Sequence, residues 1–373
     1  MTKKKSSFLI VGVKMLLLLI NALFILLLVL TYLAPHISPE LFFLPSMLGL
    51  FYPVWLIINI LFVIFWLIRL KYYFIFSLAA LIAGWNVHLK NIAFNFRTNI
   101  DASTQNIKFV SYNVRLFDQF KWSEGQDYFT RDAIFSFINQ QSPDIINFQE
   151  FFHGNDSYFP TIGPFLQTQR TTYYHVDYVK IVDDKKHYGL ATFSRFPIVG
   201  KGAVKFDNST SNSGIYSDIL INKDTIRVFN FHLESIRLSN ADYQYVTEFI
   251  DPDFHSISST SQVILGKFKN AFIKRAEQAR IVARAVQQSP YPVIISGDFN
   301  DTPVSYVYRQ ISAGLQDAFL EAGLGYGSTY AGGLPFIRID YVLHSNTIEA
   351  EAFERHKVFY SDHFPIAGYF RLR

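Results

Sequence analysis

The chain of 373 residues contains no cysteine. That excludes disulfides, thiol catalysis, and zinc or iron–sulfur sites held by thiolates. Charge is scarce as well. Only 17% of residues are Asp, Glu, Lys or Arg, against about 25% in ordinary soluble domains. Half the residues are hydrophobic, which excludes a disordered chain. Three catalytic signatures are missing: the G-x-S-x-G nucleophile elbow, the P-loop with its Lys and Ser/Thr, and the H-E-x-x-H helix. Net positive charge is confined to one region. Residues 1–105 hold eight Lys/Arg and two acids, net +6, and the remainder holds 26 basic and 28 acidic residues, net −2. The larger part therefore lacks the strong basic field of a nucleic-acid binder.

What the first third has instead is uninterrupted apolar sequence. Met15–Leu33, Met47–Ile68 and Tyr72–Leu89 are uncharged runs of 19, 22 and 18 residues. A hydrocarbon core of about 30 Å takes about 20 helical residues. Residues 1–90 are therefore expected to form a membrane domain with three transmembrane helices, about 15–33, 47–68 and 72–89. A cleaved signal peptide fits less well. The first run exceeds the usual apolar stretch, no small-x-small site follows it, and more apolar runs come after. Pro53 is expected inside the second span, with neighbouring helices satisfying the freed carbonyl. Lys3, Lys4 and Lys5 place the N-terminus in the cytoplasm. Arg69 and Lys71 mark the second loop as cytoplasmic, and the third span then exits. The expectation is a multi-pass protein of the cell inner membrane, its larger domain extracytoplasmic. Lys90 and Arg97 oppose the rule, but large C-terminal domains cross despite such charges. Residues 91–105 read as a polar linker.

From Ile107 short β-rich runs recur at 107–114, 144–150, 189–196, 225–235, 291–301, 338–345 and 363–370. Two stretches have helical spacing. One is Tyr128–Gln141, with Ile134, Phe135, Phe137 and Ile138 on one side. The other is Ala271–Gln288, with a stripe through Phe272, Ala276, Ala279, Val282 and Val286. Lys267, Lys269, Lys274, Arg275, Arg280 and Arg284 read as its solvated face. Residues 106–373 are thus expected to form one α/β (α+β) domain, a sheet sandwich flanked by helices. The segment 239–266, with His255, reads as a long loop or insertion. The aromatic-rich Phe151–Phe165 reads either as core packing or as a lipid-facing patch.

Polar residues gather at the strand ends. They are Asn113, Glu150, His232, Asp298 with Asn300, Asp340, and Asp362 with His363. Taken singly, an Asp or Asn after a strand is ordinarily a turn former. Asp340 is harder to dismiss, since Ile339 and Tyr341 flank it and a carboxylate among apolar residues needs a partner. Either a histidine or Arg338 could supply one. Together the set is four acids, two amides and two histidines. Oxygen donors without thiolates suit a hard cation, Mg²⁺ or Mn²⁺. Such a kit matches metal-assisted hydrolysis of phosphate esters.

At these residues the sequence resembles the endonuclease/exonuclease/phosphatase superfamily, in a membrane-anchored bacterial form. The matching segments stand in family order: SYNVR, INFQE, YGLATFSRFPI, FNFHLES, SGDFNDTP, RIDYVL and SDHFPI. The resemblance covers about 106–373 and implies a DNase I-like four-layer α/β sandwich. It also implies roles. Glu150 would be the main metal ligand, with Asn113 and Asp362 helping to place the ion or phosphate, and Gln149 behind them. Asp298 would orient and deprotonate the attacking water, and Asn300 would hold that water or a phosphate oxygen. His363, tuned by Asp340, would contact the scissile phosphate. His232 would bind the phosphate or act near the leaving group. The substrate is then a phosphomonoester or phosphodiester, lipid-linked or a nucleic acid, with the bilayer as partner through the N-terminal helices. A non-catalytic sensor or scaffold is opposed by the complete set of acids and histidines. Nothing in the sequence speaks to oligomeric state.

Overall fold

The computed structural model describes residues 2–95, 106–120, 128–155, 158–206, 212–236, 259–332 and 336–373. The chain divides into two units, Met1–Asn91 with Val304–Tyr306, and Ile92–Pro303 with Val307–Arg373.

In the first unit the three expected spans do not all form. The first run lies in a helix, Thr2–Thr31, whose segment Ile10–Thr31 has a mean hydropathy of 2.8 and is long enough to cross a bilayer. The second is broken at Phe51 into Leu44–Leu50 and Tyr52–Ile68, bent by 71°. Pro53 is the cause. It lacks an N–H, and its ring would collide with a carbonyl of the preceding turn, so it sits in the first turn of a new helix. The third run forms Phe74–Ala83, stops at Gly84 and continues as the short Trp85–His88. A Cβ at Gly84 would lie 2.1 Å from Cζ of Tyr32, so the Tyr32 ring would have to shift to admit any other residue. Among the described residues one helix alone is long and apolar enough to cross, or two spans if the bent pair counts as one. The helices are joined by polar contacts. Asn21 Nδ2 donates to Ser77 Oγ at 2.7 Å, and Trp66 Nε1 donates to Asn21 Oδ1 at 3.0 Å. Such bonds link helices where apolar burial gives no preference between helix and lipid.

The second unit is built on fourteen described strands: β1 (Ala93–Phe94), β2 (Ile107–Asn113), β3 (Ile145–Gly154), β4 (Tyr173–Val182), β5 (Lys186–Ser194), β6 (Ile198–Val204), β7 (Ser213–Ile221), β8 (Asp224–His232), β9 (Val293–Asp298), β10 (Gln316–Asp317), β11 (Leu324–Gly325), β12 (Asp340–His344), β13 (Ile348–Arg355) and β14 (Ile366–Leu372). They form two six-stranded sheets, β10-β12-β9-β8-β7-β6 and β13-β14-β2-β3-β5-β4. The small pair β1–β11 is antiparallel, so the expected linker begins as paired strand. Its residues 96–105 lie outside the described part.

The core follows the strand alternation. Phe109, Ile145, Val228, Ile294, Val342 and Ile366 meet between the sheets. On the other face of the second sheet, helix Phe129–Gln141 sets Ile134, Phe135 and Ile138 against Val110, Ile146 and Phe148. On the other face of the first sheet, helix Ser259–Gln287 sets Ala279 and Val282 against Phe229, Phe231 and Ile295. The result is helix, sheet, sheet, helix. Phe151, Phe152, Phe159 and Phe165 are buried in this packing, which decides for the core reading of Phe151–Phe165. The second helix begins twelve residues before the expected Ala271, inside the segment read as a loop. The rest of that segment, with His255, lies outside the described residues.

Near the site the inward positions turn polar. Asn147 Nδ2 donates to Ser296 Oγ at 2.9 Å and Phe229 O at 3.0 Å. Gln149 Nε2 donates to Asn230 Oδ1 at 2.7 Å, and Asn230 Nδ2 to Phe148 O at 3.0 Å. Each such buried donor left unpaired would cost about 1–3 kcal/mol. The network therefore holds one sheet in a fixed register on the other.

Candidate active site

Strand register assembles the site. Parallel pairing of β8 with β9 sets His232 opposite Asp298, and antiparallel pairing of β9 with β12 sets Asp340 opposite the same residue. Residues directly opposite share a face, so these three side chains stand in one row at the sheet rim. Asn113 ends β2 on the same inter-sheet face, two residues beyond Ser111 and four beyond Phe109.

Glu150 does not follow the alternation. Gln149 points between the sheets, where its Nε2 bonds Ser111 and Asn230 as part of the inter-sheet network. Its neighbour should then face the helix layer. Instead Glu150 has φ of +49°, and the pairing of β3 with β5 shifts between Phe148 and Phe151. The kink swings the carboxylate to the rim, where Oε1 lies 3.3 Å from Asn113 Nδ2 and 3.7 Å from His232 Nε2. A left-handed backbone at a side-chain-bearing residue costs about 1–3 kcal/mol and persists where the surroundings impose it.

Asp298 is the hub. Its carboxylate accepts from Asn113 Nδ2 at 3.0 Å, from the Asn300 backbone N–H at 2.8 Å and from Asn300 Nδ2 at 3.2 Å. Nε2 of His232 and Nε2 of His363 each lie 3.6 Å from Oδ2. Burial pushes Asp298 up to about 6, against the pull of His363. The preceding Gly297 is obligatory, since a Cβ there would lie 1.9 Å from Phe231 O.

His363 Nδ1 faces both Asp340 oxygens at 2.9 and 3.1 Å. Burial opposes its charge, but Asp340 and then Asp298 outweigh burial and hold the imidazole well above the usual histidine range. Arg338, the other candidate partner of Asp340, bonds Asp317 Oδ2 at 2.7 Å. His232 differs. Burial holds it below the ordinary value despite Asp298, so it is neutral near pH 7. Asp362 lies 3.6 Å from Arg115 Nε, and Ser361 Oγ ties its loop to Asn113 O at 2.8 Å.

Two sets could take a cation. Asp298, Asp340 and His363 place one ligand atom each within 4.8 Å of one another. There the imidazolium already supplies the positive charge, and Nδ1 is committed to Asp340. The second set is Glu150, Asp362 and Asn113. Burial, and then the charge of Asp362, raise the Glu150 pKa, while His363 and Arg115 pull it down. Asn113 Oδ1 accepts one bond, from Arg115 N at 3.1 Å, which leaves a second lone pair. This oxygen-only set fits a hard divalent ion.

One contributor was not expected. Arg275 is 1% exposed, not part of a solvated face. Its Nε lies 3.4 Å from Asp301 Oδ2, and Nη1 donates to Glu234 O at 3.1 Å. Gln278 Oε1 accepts from Glu234 N at 2.8 Å. The helix thus grips the segment after His232 and the segment after Asn300. The signal was present: Arg275 is three residues after Phe272 and four before Ala279, in phase with the apolar stripe.

The profile of the Endonuclease/Exonuclease/phosphatase family matches residues 110–363. A second profile, a domain of unknown function (DUF8431), matches residues 14–91. No curated protein matches the chain. Among solved structures, the chain is similar to an endonuclease/exonuclease/phosphatase from Beutenbergia cavernae. The two are 17% identical over 72% of each chain, with a TM-score of 0.52. The human Nocturnin catalytic domain with bound sulfate is 18% identical over 72% of this chain and 95% of that one, TM-score 0.51. An endonuclease/exonuclease/phosphatase from Bacteroides vulgatus is 16% identical over 72% and 100%, TM-score 0.51. At these identities the likeness is one of fold.

Proposed function

Because the chain belongs to the endonuclease/exonuclease/phosphatase family, we propose that it is a membrane-anchored, divalent-metal-dependent phosphoesterase. The observation that carries this reading is the row His232, Asp298, Asp340, with His363 bonded to Asp340 and the Glu150–Asp362 pair beside it. In this reading Asp298 is the general base. Three N–H donors orient it, and a carboxylate near 6 takes a proton readily near neutral pH. Water adds to phosphorus, its proton passes to Asp298, and the ester oxygen leaves with the electrons of the broken P–O bond. The His363 imidazolium holds a phosphoryl oxygen and opposes its growing charge. Neutral His232 hydrogen-bonds the phosphate or the departing oxygen. Glu150, Asn113 and Asp362 would hold Mg²⁺ or Mn²⁺, which when bound neutralises charge on the phosphoryl group.

The segment Ile10–Thr31 supports the anchor, since only 11% of its apolar window is buried. The test is Glu150→Gln in the full-length protein with Mg²⁺ titrated. Metal affinity and phosphodiesterase rate should fall together, because one anionic ligand is lost from a site of few. Unchanged affinity would remove Glu150 from the metal site.

A further inference from the structure

The row of site residues extends one strand further. Antiparallel pairing of β7 with β8 sets Ser213 directly opposite His232, as the next pairings set Asp298 and Asp340 beyond it. Residues directly opposite share a face. The strand order β12-β9-β8-β7 therefore reads Asp340, Asp298, His232, Ser213 along the rim. The alternation of β7 agrees, since Ile219, six residues on, packs between the sheets. Ser213 is 7% exposed, and it lines the same cleft of about 370 Å³ as Glu150 and His232. Its hydroxyl and His232 Nε2 are both buried with no hydrogen-bond partner among the described residues. Leu116, Phe120 and Leu190 form apolar wall of that cleft. A hydroxyl left unpaired in such surroundings is costly. Packing does not require it, because alanine would occupy nearly the same volume without that cost.

We infer that Ser213 is a further catalytic residue, its hydroxyl donating a hydrogen bond to the departing ester oxygen beside His232. This rests on the phosphoesterase reading above and deepens it. The position follows from the order of the row. In that reading Asp298 takes the proton of the attacking water, and the attacking and departing oxygens stand roughly in line through phosphorus. The departing oxygen thus lies on the side of the phosphate away from Asp298. Ser213 is two strands from Asp298 and one from His232, with neighbouring strands about 4.8 Å apart. An oxygen atom between His232 and Ser213 meets both unpaired groups at once. A serine nucleophile needs a base bonded to its hydroxyl, and Ser213 has none among the described residues. Ser213 accordingly forms no covalent bond and keeps its proton. The ester oxygen leaves with the electron pair of the broken P–O bond, and the hydroxyl opposes the charge that oxygen gains.

The experiment uses the full-length protein in lipid nanodiscs with Mg²⁺ and two methyl phosphodiesters, whose leaving groups are phenol and p-nitrophenol. The p-nitrophenolate oxygen spreads its charge into the nitro group, whereas the phenolate oxygen keeps more of it, so the phenyl ester needs the donor more. In Ser213→Ala, kcat for the phenyl ester should fall by about tenfold or more, the effect of losing a hydrogen bond to a charged group. The p-nitrophenyl ester should lose clearly less. The melting temperature should hold or rise, because an unpaired buried hydroxyl is gone. Ser213→Thr restores a hydroxyl and should restore the parent ratio of the two rates. An alanine variant with the parent ratio, or a threonine variant that keeps the alanine ratio, would overturn the inference and leave the phosphoesterase reading standing. No hydrolysis of either ester by the parent would overturn that reading, and the inference with it.

Discussion

The Asp340–His363 pair shows how a single residue sets a neighbour's chemistry. Both are almost fully buried, and burial alone would strip the imidazole of its proton. The carboxylates reverse this, and the useful form is the imidazolium. Since its pKa is raised, the charged form is complete at neutral pH and is lost only as pH climbs through the raised value. Asp340→Asn keeps the shape and removes the charge. We expect kcat to fall by at least about 10²-fold, the low end for a positioned acid–base group. The alkaline limb of the kcat profile should move to lower pH, because burial then dominates. Metal affinity, which the proposed function assigns to Glu150, should stay nearly constant. A near-normal kcat with an unmoved alkaline limb would end the paired-histidine account.

At the scale of elements, the helix Ser259–Gln287 does more than cover a sheet. Arg275 and Gln278 hold the turns that follow His232 and Asn300, and those turns aim two site residues. Arg275→Met would leave Asp301 and the Glu234 carbonyl facing an apolar stem. Breaking a buried charge pair by removing one partner costs about 3–5 kcal/mol, and denaturant unfolding should register a loss of that order. Arg275→Lys keeps the charge without the planar fork, so it should recover part of the stability and less of the rate. If Arg275→Met unfolds at the same denaturant concentration as the parent, the residue carries no such strain.

For the whole molecule, the proposed membrane anchor raises the question of which side of the bilayer the larger unit would occupy. Phe74–Ala83 has 10 residues, about 15 Å of helix at 1.5 Å per residue, half of the hydrocarbon thickness. The pair Leu44–Leu50 and Tyr52–Ile68 turns through 71°, the form of a broken span or of a re-entrant segment. If Ile10–Thr31 is the one crossing, as the proposed membrane anchor requires, Lys3, Lys4 and Lys5 in the cytoplasm send the C-terminus outside. A reporter fused after Arg373 should accordingly be active only in its extracytoplasmic form. A cytoplasmic readout would mean an even number of crossings, with the bent pair as the second.

Local pattern alone determined a good deal. Seven strands were legible because their apolar runs are buried on both faces and dense in Val, Ile and Phe. The site residues were legible because Asn, Asp and His interrupt those runs at their ends. The edge strands β4, β6 and β13 were not, and neither was the inner strand β7, Ser213–Ile221, although most of it is buried. Tyr173–Val182 is half exposed along its length, Ile198–Val204 carries two glycines and a lysine, and Ile348–Arg355 is rich in Ala and Glu, which read as helix. Edges are stabilised by pairing with a neighbour, and composition does not show that. The three apolar runs were real, but their lengths as helices were decided by Pro53 and by the approach of Tyr32 to Gly84. Only the tertiary structure could decide that His232, Asp298 and Asp340 share a row, that Glu150 is turned out by a left-handed kink, and that Arg275 points inward. Each depends on which strands and helices become neighbours, and that is set by contacts between residues far apart in the chain.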